Sequence, residues 1–563
     1  MTDIRRTVLW VVFASSLLLL WDGWNKYNGR PSLFSPGVHT AATAAPPASA
    51  APGTLPTPTA SASPGAAATA AATAAVPAAP VASAPVTSEL VTVTTDNFKA
   101  TVDTRGGDLV RVELLKQAAD DDRSRNVVLL ERNPPHQYFA QTGLINAAGG
   151  ALPYHDTVMT ARPGERALKD GANDLQLVLE SPEVGGAKLI KTYTFRRGDY
   201  AIGVKHEVVN ASKAPIKPLL YLRLAHDDTA VSGSGPFTSA YHGPALYTEK
   251  SKFTKVSFED IAKGKAQYDA AADNGWVAMV QHYFTSAWLV NAKQPREFKA
   301  EKLGEHLYGV AMVLPLGEVA PDTAKVQEAT LYVGPAEDHR LAALAPDLDL
   351  VRDYGYFTIL AKPLFWLLNQ LHTYIGNWGW AIVALVVLLK IAFYWLNASA
   401  YRSMAKMKAV NPKVQELRER YKDKPQQLQQ EMMRIYREEK VNPFGGCLPI
   451  LVQMPFFIAL YSVLLSSVEM RHAPWAGWIT DLSAKDPYFI LPLVMTGTSL
   501  LQTWLSPTPP DPTQAKMMWI MPLVFSVMFF SFPSGLVLYW LTNNILSIAQ
   551  QWLINKQLGV TNK

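Results

Sequence analysis

Ala384-Leu-Val-Val-Leu-Leu-Lys390-Ile-Ala-Phe-Tyr-Trp-Leu396 places one charge in a run otherwise made of apolar and aromatic side chains. A cation at mid-membrane costs roughly 2.5–3.5 kcal/mol on insertion scales, and such residues face protein or water rather than lipid. The next charge along the chain, Arg402, is twelve residues on, about 18 Å of helix at ~1.5 Å per residue. Snorkelling over that distance is strained. Working outward, apolar segments at 378–397, 444–468, 488–505, 517–532 and 535–555 come close to the roughly 20 residues a spanning helix requires. None of them holds Asp or Glu. A cation left unpaired among such helices implies a hydrated cavity.

That cavity needs other polar walls. Gln453, Thr496, Thr498, Gln502, Ser526, Thr542, Asn543 and Asn544 are the candidates within these spans. Pro449, Pro455, Pro492 and Pro522 loosen the backbone ladder and allow bends. Met454-Pro-Phe-Phe and Met528-Phe-Phe read as an adaptable apolar slide, because flexible methionines suit varied partners.

Before these spans the chain changes character several times. Arg5 and Arg6 precede the apolar run Val8 to Trp21, and no small-residue cleavage site follows it directly. Residues 1–24 therefore read as an uncleaved anchor, with the N-terminus cytoplasmic by the positive-inside bias. Residues 25–87, nearly all Ala, Pro, Thr, Ser, Gly and Val from 38 on, cannot bury enough to order themselves. They read as a disordered tether spanning on the order of 40–50 Å. In 88–348, stretches such as Leu90-Val-Thr-Val-Thr-Thr and Lys191-Thr-Tyr-Thr-Phe alternate with period two, and Arg105-Gly-Gly-Asp and Arg197-Gly-Asp mark turns. That pattern predicts a sandwich of antiparallel sheets lying outside the cytoplasm. The segment 349–377 is too polar to span and too apolar for free solvent, so it reads as an interfacial amphipathic helix.

With the anchor the chain has six predicted spans: 1–24, 378–397 and four within 443–556. Both termini, including the short tail 557–563, are then cytoplasmic. The loop 398–442 holds eleven basic residues against six acidic, whereas the outer loop 469–487 is net acidic. The asymmetry agrees with that orientation. Within the loop, Met404, Met407, Val410, Val414, Leu417 and Tyr421, then Leu428, Met432 and Ile435, follow helical steps. They predict a helical hairpin turning at Pro425, its basic face, with Lys408, suited to ribosomes, anionic lipid or nascent chains.

The charged fraction of 18%, against about 25% in soluble domains, excludes a wholly soluble protein. The net charge of +5 gives no reason to expect nucleic-acid binding. The single cysteine, Cys447, excludes an intramolecular disulfide. No catalytic, phosphate-binding or metal-ligand motif is present, and His206, His226 and His282 read as scattered surface residues.

Gly376-Asn-Trp-Gly379, Ser403-Met-Ala-Lys-Met-Lys408, Val441-Asn-Pro-Phe-Gly-Gly-Cys-Leu-Pro449 and Gln453-Met-Pro455 resemble the YidC family of membrane-protein insertases. So do Trp478-Ile-Thr-Asp-Leu-Ser483, Pro487-Tyr-Phe-Ile-Leu-Pro492 and Phe532-Pro-Ser-Gly-Leu-Val-Leu-Tyr539. The string Gly275-Trp-Val-Ala-Met-Val-Gln-His-Tyr-Phe-Thr-Ser-Ala-Trp288 resembles the Gram-negative form.

The resemblance implies a polytopic α-helical inner-membrane protein with a five-helix insertase core. It also implies a large periplasmic all-β super-sandwich, similar in fold to sugar mutarotases. The function implied is a non-enzymatic insertase and chaperone without cofactor or metal, acting alone or with the Sec translocon through a hydrophilic groove. The implied partners are nascent membrane proteins, the translocon with its accessory subunits, the ribosome and membrane lipid. The family's groove cation, most often arginine, aligns with Lys390. Its client contacts fall near Gln453, Met454, Pro455, Phe456, Met528 and Phe529, and Trp540 sits where an aromatic faces the groove. The family's proline after the cation is Trp395 here. Two readings from other classes stand beside this one: a secondary transporter using Lys390, and a sugar-modifying enzyme in the β domain.

Overall fold

A computed structural model describes residues 88–557, apart from 121, 135, 147–148, 230–240, 422–423, 440–447 and 507–511. The anchor expected at 1–24, the tether at 25–87 and the tail beyond 557 lie outside the described residues.

The period-two stretches become strands because alternate side chains can leave water together. In the strand Ala187–Arg196, Leu189, Lys191, Tyr193 and Phe195 point inward and their neighbours outward. The described strands build two nine-stranded antiparallel sheets. One runs from Leu90–Thr94 through Pro218–Asp227 to Ala271–Ala272, and the other from Lys252–Lys255 through Ala324–Pro335 to Thr160–Ala161. Their facing apolar residues, among them Phe98, Leu109, Leu222, Trp276, Trp288 and Leu331, form one core. The predicted turn Arg105-Gly-Gly-Asp needs its first glycine: Gly106 has φ of +73°, and a Cβ there would lie 2.2 Å from the His155 carbonyl oxygen.

The histidines correct their expectation. His206 and His226 are buried, and His282 Nε2 donates to the Leu465 carbonyl rather than facing solvent freely. His206 pairs in register with Lys191 across the sheet and meets Thr142 Oγ1 at 3.0 Å. Burial lowers its pKa to about 3, so it is neutral.

A polar seam crosses this core. Lys191 Nζ donates to the Thr142 and Gly106 carbonyls, at 2.7 and 2.5 Å. Asp108 Oδ2 accepts from Gln141 Nε2 at 2.7 Å, with Arg132 at 3.6 Å. Burial raises the Asp108 carboxyl to about 7 and lowers Lys191 to about 8. The signs follow from which state holds the proton more tightly. Folded Asp108 binds its proton better than unfolded, so domain stability falls as pH rises from near 4 to near 7. Folded Lys191 binds its proton less well, so stability recovers between about 8 and 10.5. Asp108→Asn is expected to flatten the acid limb of the melting temperature against pH and to start the alkaline rise at lower pH, because the Asp108 charge that holds the Lys191 pKa up is gone. An unchanged acid limb would show that Asp108 is ionised throughout.

After the last strand and a short helix at Asp338–Leu344 come eight longer α-helices among the described residues: α1 Thr358–Ile375, α2 Trp378–Ala392, α3 Tyr394–Arg420, α4 Pro425–Glu438, α5 Leu448–Ser466, α6 Ile490–Leu505, α7 Pro512–Phe529 and α8 Ser534–Gln557. Gly376, at φ +73°, ends α1 with its N–H on the His372 carbonyl. Asn377 then caps α2, its Oδ1 accepting from Trp380 N at 3.1 Å. Helix α1 buries Ala361, Leu364, Phe365 and Leu368 against α2 and α5 and exposes Ile359 and Trp366. Ile382 and Leu385 of α2, Val463 of α5, Met495 of α6 and Val537 of α8 complete this second core.

Taken singly, none of the described helices is long and apolar enough to cross a membrane. The pair Trp378–Ala392 and Tyr394–Ser403 passes together, bent by 64°. The sequence predicts one span over 378–397, and the break falls within it at Phe393. No proline or glycine lies between 380 and 411 to cause it. At the break the Phe393 ring lies edge-on to Phe456, with centroids 5.1 Å apart.

The sandwich rests on the helical part through polar contacts. Arg471, nearly fully buried, donates to Asp120 Oδ1 at 2.6 Å and to the Ala118 carbonyl at 2.9 Å. Arg123 reaches Asp481 at 3.1 Å, and His282 Nε2 lies 2.8 Å from the Leu465 carbonyl. Buried Arg352 forks onto Glu469, at 3.0 and 3.1 Å, donates to Ser467 Oγ and lies over the Phe365 ring at 4.2 Å.

Candidate functional site

Lys390 stands near the end of α2, where the 64° bend turns the chain away and leaves room beside it. Its Nζ donates to Ser547 Oγ on α8 at 2.7 Å. The Ser547 hydroxyl in turn donates to the Asn543 carbonyl, one turn back, at 2.7 Å. A cavity of about 540 Å³ opens here between α2, α3 and α5–α8. Among the described residues that line it there is no Asp, Glu or Arg, so Lys390 is the single charge.

One wall is polar. Asn397 and Tyr401 on α3, Gln453 on α5, Ser499, Gln502 and Thr503 on α6, and Asn543, Asn544, Ser547 and Gln551 on α8 all face in. Gln453 Nε2 approaches Asn543 Oδ1 at 3.4 Å, and Asn544 Nδ2 donates to Ser499 Oγ at 2.8 Å. The other wall is apolar and rich in sulfur: Met454, Met495, Met518, Met521, Phe525 and Phe529, with Tyr539 and Trp540. Trp540 is edge-on to Phe457 at 4.5 Å. A space with one polar wall, one soft apolar wall and a lone cation fits an amphipathic, anionic guest.

Of the residues singled out in the sequence, Lys390, Gln453, Gln502, Trp540, Met454 and Phe529 line this cavity together. Pro455, Phe456 and Met528 do not. Phe456 packs on Phe393, and Met528 packs against the helical core. Thr496 donates to Ser526 Oγ at 2.7 Å and so joins α6 to α7. The side chains of Met404, Met407, Lys408 and Pro425 lie outside the described residues. The hairpin itself is the antiparallel-reading pair α3 and α4, with Val410 and Val414 packed against Met432, Ile435 and Tyr436.

The sequence reading missed Asn397, Tyr401, Ser547 and Gln551. Their signal was present. Asn543, Ser547 and Gln551 stand at four-residue steps in an apolar span, and Lys390, Asn397 and Tyr401 continue one stripe at seven and then four. Among the described residues, no three His, Cys, Asp or Glu side chains converge as metal ligands.

The family model described as "60Kd inner membrane protein" matches residues 370–561, and "YidC periplasmic domain" matches 90–367. A membrane protein insertase YidC of Cupriavidus taiwanensis is 55% identical over 560 residues, covering 99% of this chain and 98% of that one. The chain belongs to the YidC family of membrane-protein insertases. The YidC of a Janthinobacterium strain is 50% identical, with all of both chains covered. A solved active YidC insertase with its first transmembrane domain resolved is 19% identical over 82% of this chain and 92% of that one, at a TM-score of 0.37. The assignment rests on the sequence relatives alone. YidC proteins are inner-membrane insertases of bacteria rather than enzymes, and the sandwich described above is the family's periplasmic domain.

Proposed function

We propose that this chain inserts membrane proteins by receiving a client's polar tail in the Lys390 cavity and releasing its apolar helix along the methionine-rich wall. The single observation that carries the reading is a lone cation in a mixed polar and apolar cavity whose described lining holds no carboxylate. The polar wall shortens the apolar barrier that the tail must cross. Lys390 attracts acidic residues in it, and the surrounding apolar helices leave that attraction weakly screened. The client's own helix then moves past Met518, Met521 and Phe525 into lipid. Apolar transfer, about 25 cal/mol per Å², drives the step without a nucleotide.

In this reading the bent α2–α3 pair, α5, α6, α7 and α8 are five spans, and the run at 1–24 is the sixth. Both termini are cytoplasmic. Helix α1 lies at the outer surface, and the α3–α4 hairpin receives ribosomes and nascent chains, with the Sec translocon joining for some clients. A transporter reading finds less support, because Lys390 faces no carboxylate among the described lining residues and so lacks a partner there for proton exchange.

Photo-crosslinkers at Gln502 and Met521, both lining the cavity, are expected to capture a ribosome-stalled nascent membrane protein. One at Val527, 71% exposed and outside the lining, is expected to capture lipid instead. Equal client capture from all three positions would place the path elsewhere.

A further inference from the structure

The backbone of α2 does not by itself send Lys390 into the cavity. Val386, four residues before it, is buried, whereas Val387, three residues before it, is exposed, as is Ile391 after it. Residues three and four apart flank one another on a helix, so Lys390 stands at the border between the packed and the outward side of α2. A long lysine stem at such a border can run inward or out past Ile391. Its contact on α8 decides between the two. Ser547 is buried and lines the cavity. Its hydroxyl hydrogen is committed to the Asn543 carbonyl, at 2.7 Å. Toward Lys390 Nζ, also at 2.7 Å, Oγ is therefore left to accept. The serine is fixed by its own helix and presents an acceptor to the donor from α2.

We infer that Ser547 is the positioning residue for the groove cation and thereby sets the charge selectivity of insertion. It turns the ammonium inward and takes one of its three N–H groups. A carboxylate of the client's tail takes those that remain. A hydroxyl suits this role because it is neutral. A carboxylate at the same place would hold Lys390 as firmly, but it would cancel the charge that a guest needs. The inference rests on the client path proposed above and names the side chain that makes its cation available. The direct contact has a second consequence. The charge sits at a point that α2 and α8 share, so either helix can supply it.

The test measures insertion by protease protection, per unit of full-length insertase, in cells depleted of the native protein. Two clients are used that differ only in acidic or neutral tail residues. Ser547→Ala removes the acceptor and is expected to lower acidic-tail insertion roughly threefold more than neutral-tail insertion, the factor that one modest hydrogen bond supplies. Ser547→Thr keeps a hydroxyl that can bond the Asn543 carbonyl and should recover most of that loss. Ser547→Asp is expected to lower acidic-tail insertion roughly fivefold, because the new carboxylate neutralises Lys390. The exchange of Lys390→Ser with Ser547→Lys returns the charge to the shared point from α8 and should insert the acidic-tailed client better than Lys390→Gln does. Four results overturn the inference: wild-type handling of both clients by Ser547→Ala, an equal loss of both, Ser547→Thr as defective as Ser547→Ala on the acidic tail, or an exchange variant no better than Lys390→Gln. The contrast of Ser547→Ala with Ser547→Thr decides the matter even if the charged variants are poorly made. Lys390→Gln, measured beside them, separates the two ideas. If it discriminates between the clients while Ser547→Ala does not, the positioning role falls and the client path stands. If it treats both clients as wild type does, the charge mechanism falls as well.

Discussion

Replacing Lys390 by glutamine is expected to reduce insertion of clients with acidic translocated tails about tenfold and to spare those with neutral tails. The expectation follows from its surroundings. Lys390 Nζ has Ser547 Oγ at 2.7 Å, and no carboxylate is present among the described lining residues. Its charge is therefore not spent on a fixed partner and is available to a guest. A unit charge about 6 Å away, at an effective dielectric near 20, contributes roughly 2–3 kcal/mol, and water in the groove reduces that toward the ~1.4 kcal/mol of a tenfold effect. Lys390→Arg should retain insertion of both clients, since charge is kept and arginine remains protonated. Lys390→Glu should be worst for acidic tails, because attraction becomes repulsion. Other roles for the residue predict other outcomes. A proton-carrying lysine must titrate, so arginine would fail in its place. A lysine that merely snorkels would accept glutamine for every client. The measurement is insertion of a matched client pair in cells depleted of native protein. Equal handling of both clients by wild type and Lys390→Gln would end the charge mechanism.

The parts of this design that periodicity encodes were legible in the sequence. Strand alternation in the sandwich core has period two, and its inward residues leave water together whatever their partners are. The charge of Lys390 stood out against an apolar background, and the cavity does form around it. What the sequence hid was orientation around each helix axis. Gln453, Met454 and Phe457 face the cavity because steps of three and four residues share a face of α5. Pro455 and Phe456 lie between them in sequence but turn toward other packing, as Phe456 does against Phe393. On α7, Met518, Met521, Pro522, Phe525 and Phe529 line the cavity, whereas Met528 packs against the helical core. The bend at Phe393 was equally hidden, since no proline or glycine marks it in the sequence. The docking of the sandwich was hidden for the same reason. Arg471 and Asp120 are separated by 351 residues, and a single ion pair at that separation leaves no pattern in the chain.

That docking sharpens the question of which contacts the insertase needs. Deleting 95–320 removes Asp120, Arg123 and His282, and so the polar seat of the sandwich on the loop after α5. It leaves Arg352, Glu469, Ser467 and Phe365 in place. Insertion is therefore expected to survive the deletion, whereas Arg352→Ala in the full-length chain is expected to impair it severely. The reason is desolvation. Arg352 is nearly fully buried, forks onto Glu469 at 3.0 and 3.1 Å and lies over Phe365 of α1. It thus joins α1 to the end of α5, and α1 leads directly into the helix that carries Lys390. Burial pushes the Glu469 carboxyl pKa up and Arg352 pulls it back, so removing the arginine leaves a buried carboxylate without its cation. Breaking a buried pair from one side costs about 3–5 kcal/mol, and the partial exposure of Glu469 puts this case toward the lower figure. Replacing both partners by apolar residues is often nearly neutral. Arg352→Met with Glu469→Leu should therefore recover much of the abundance and insertion that Arg352→Ala loses. Arg352→Lys should fall between, keeping the charge but not the fork or the flat contact with Phe365. If the deletion abolishes insertion at normal protein levels while Arg352→Ala inserts normally, the seat on the sandwich, not the Arg352 clamp, holds the groove in register.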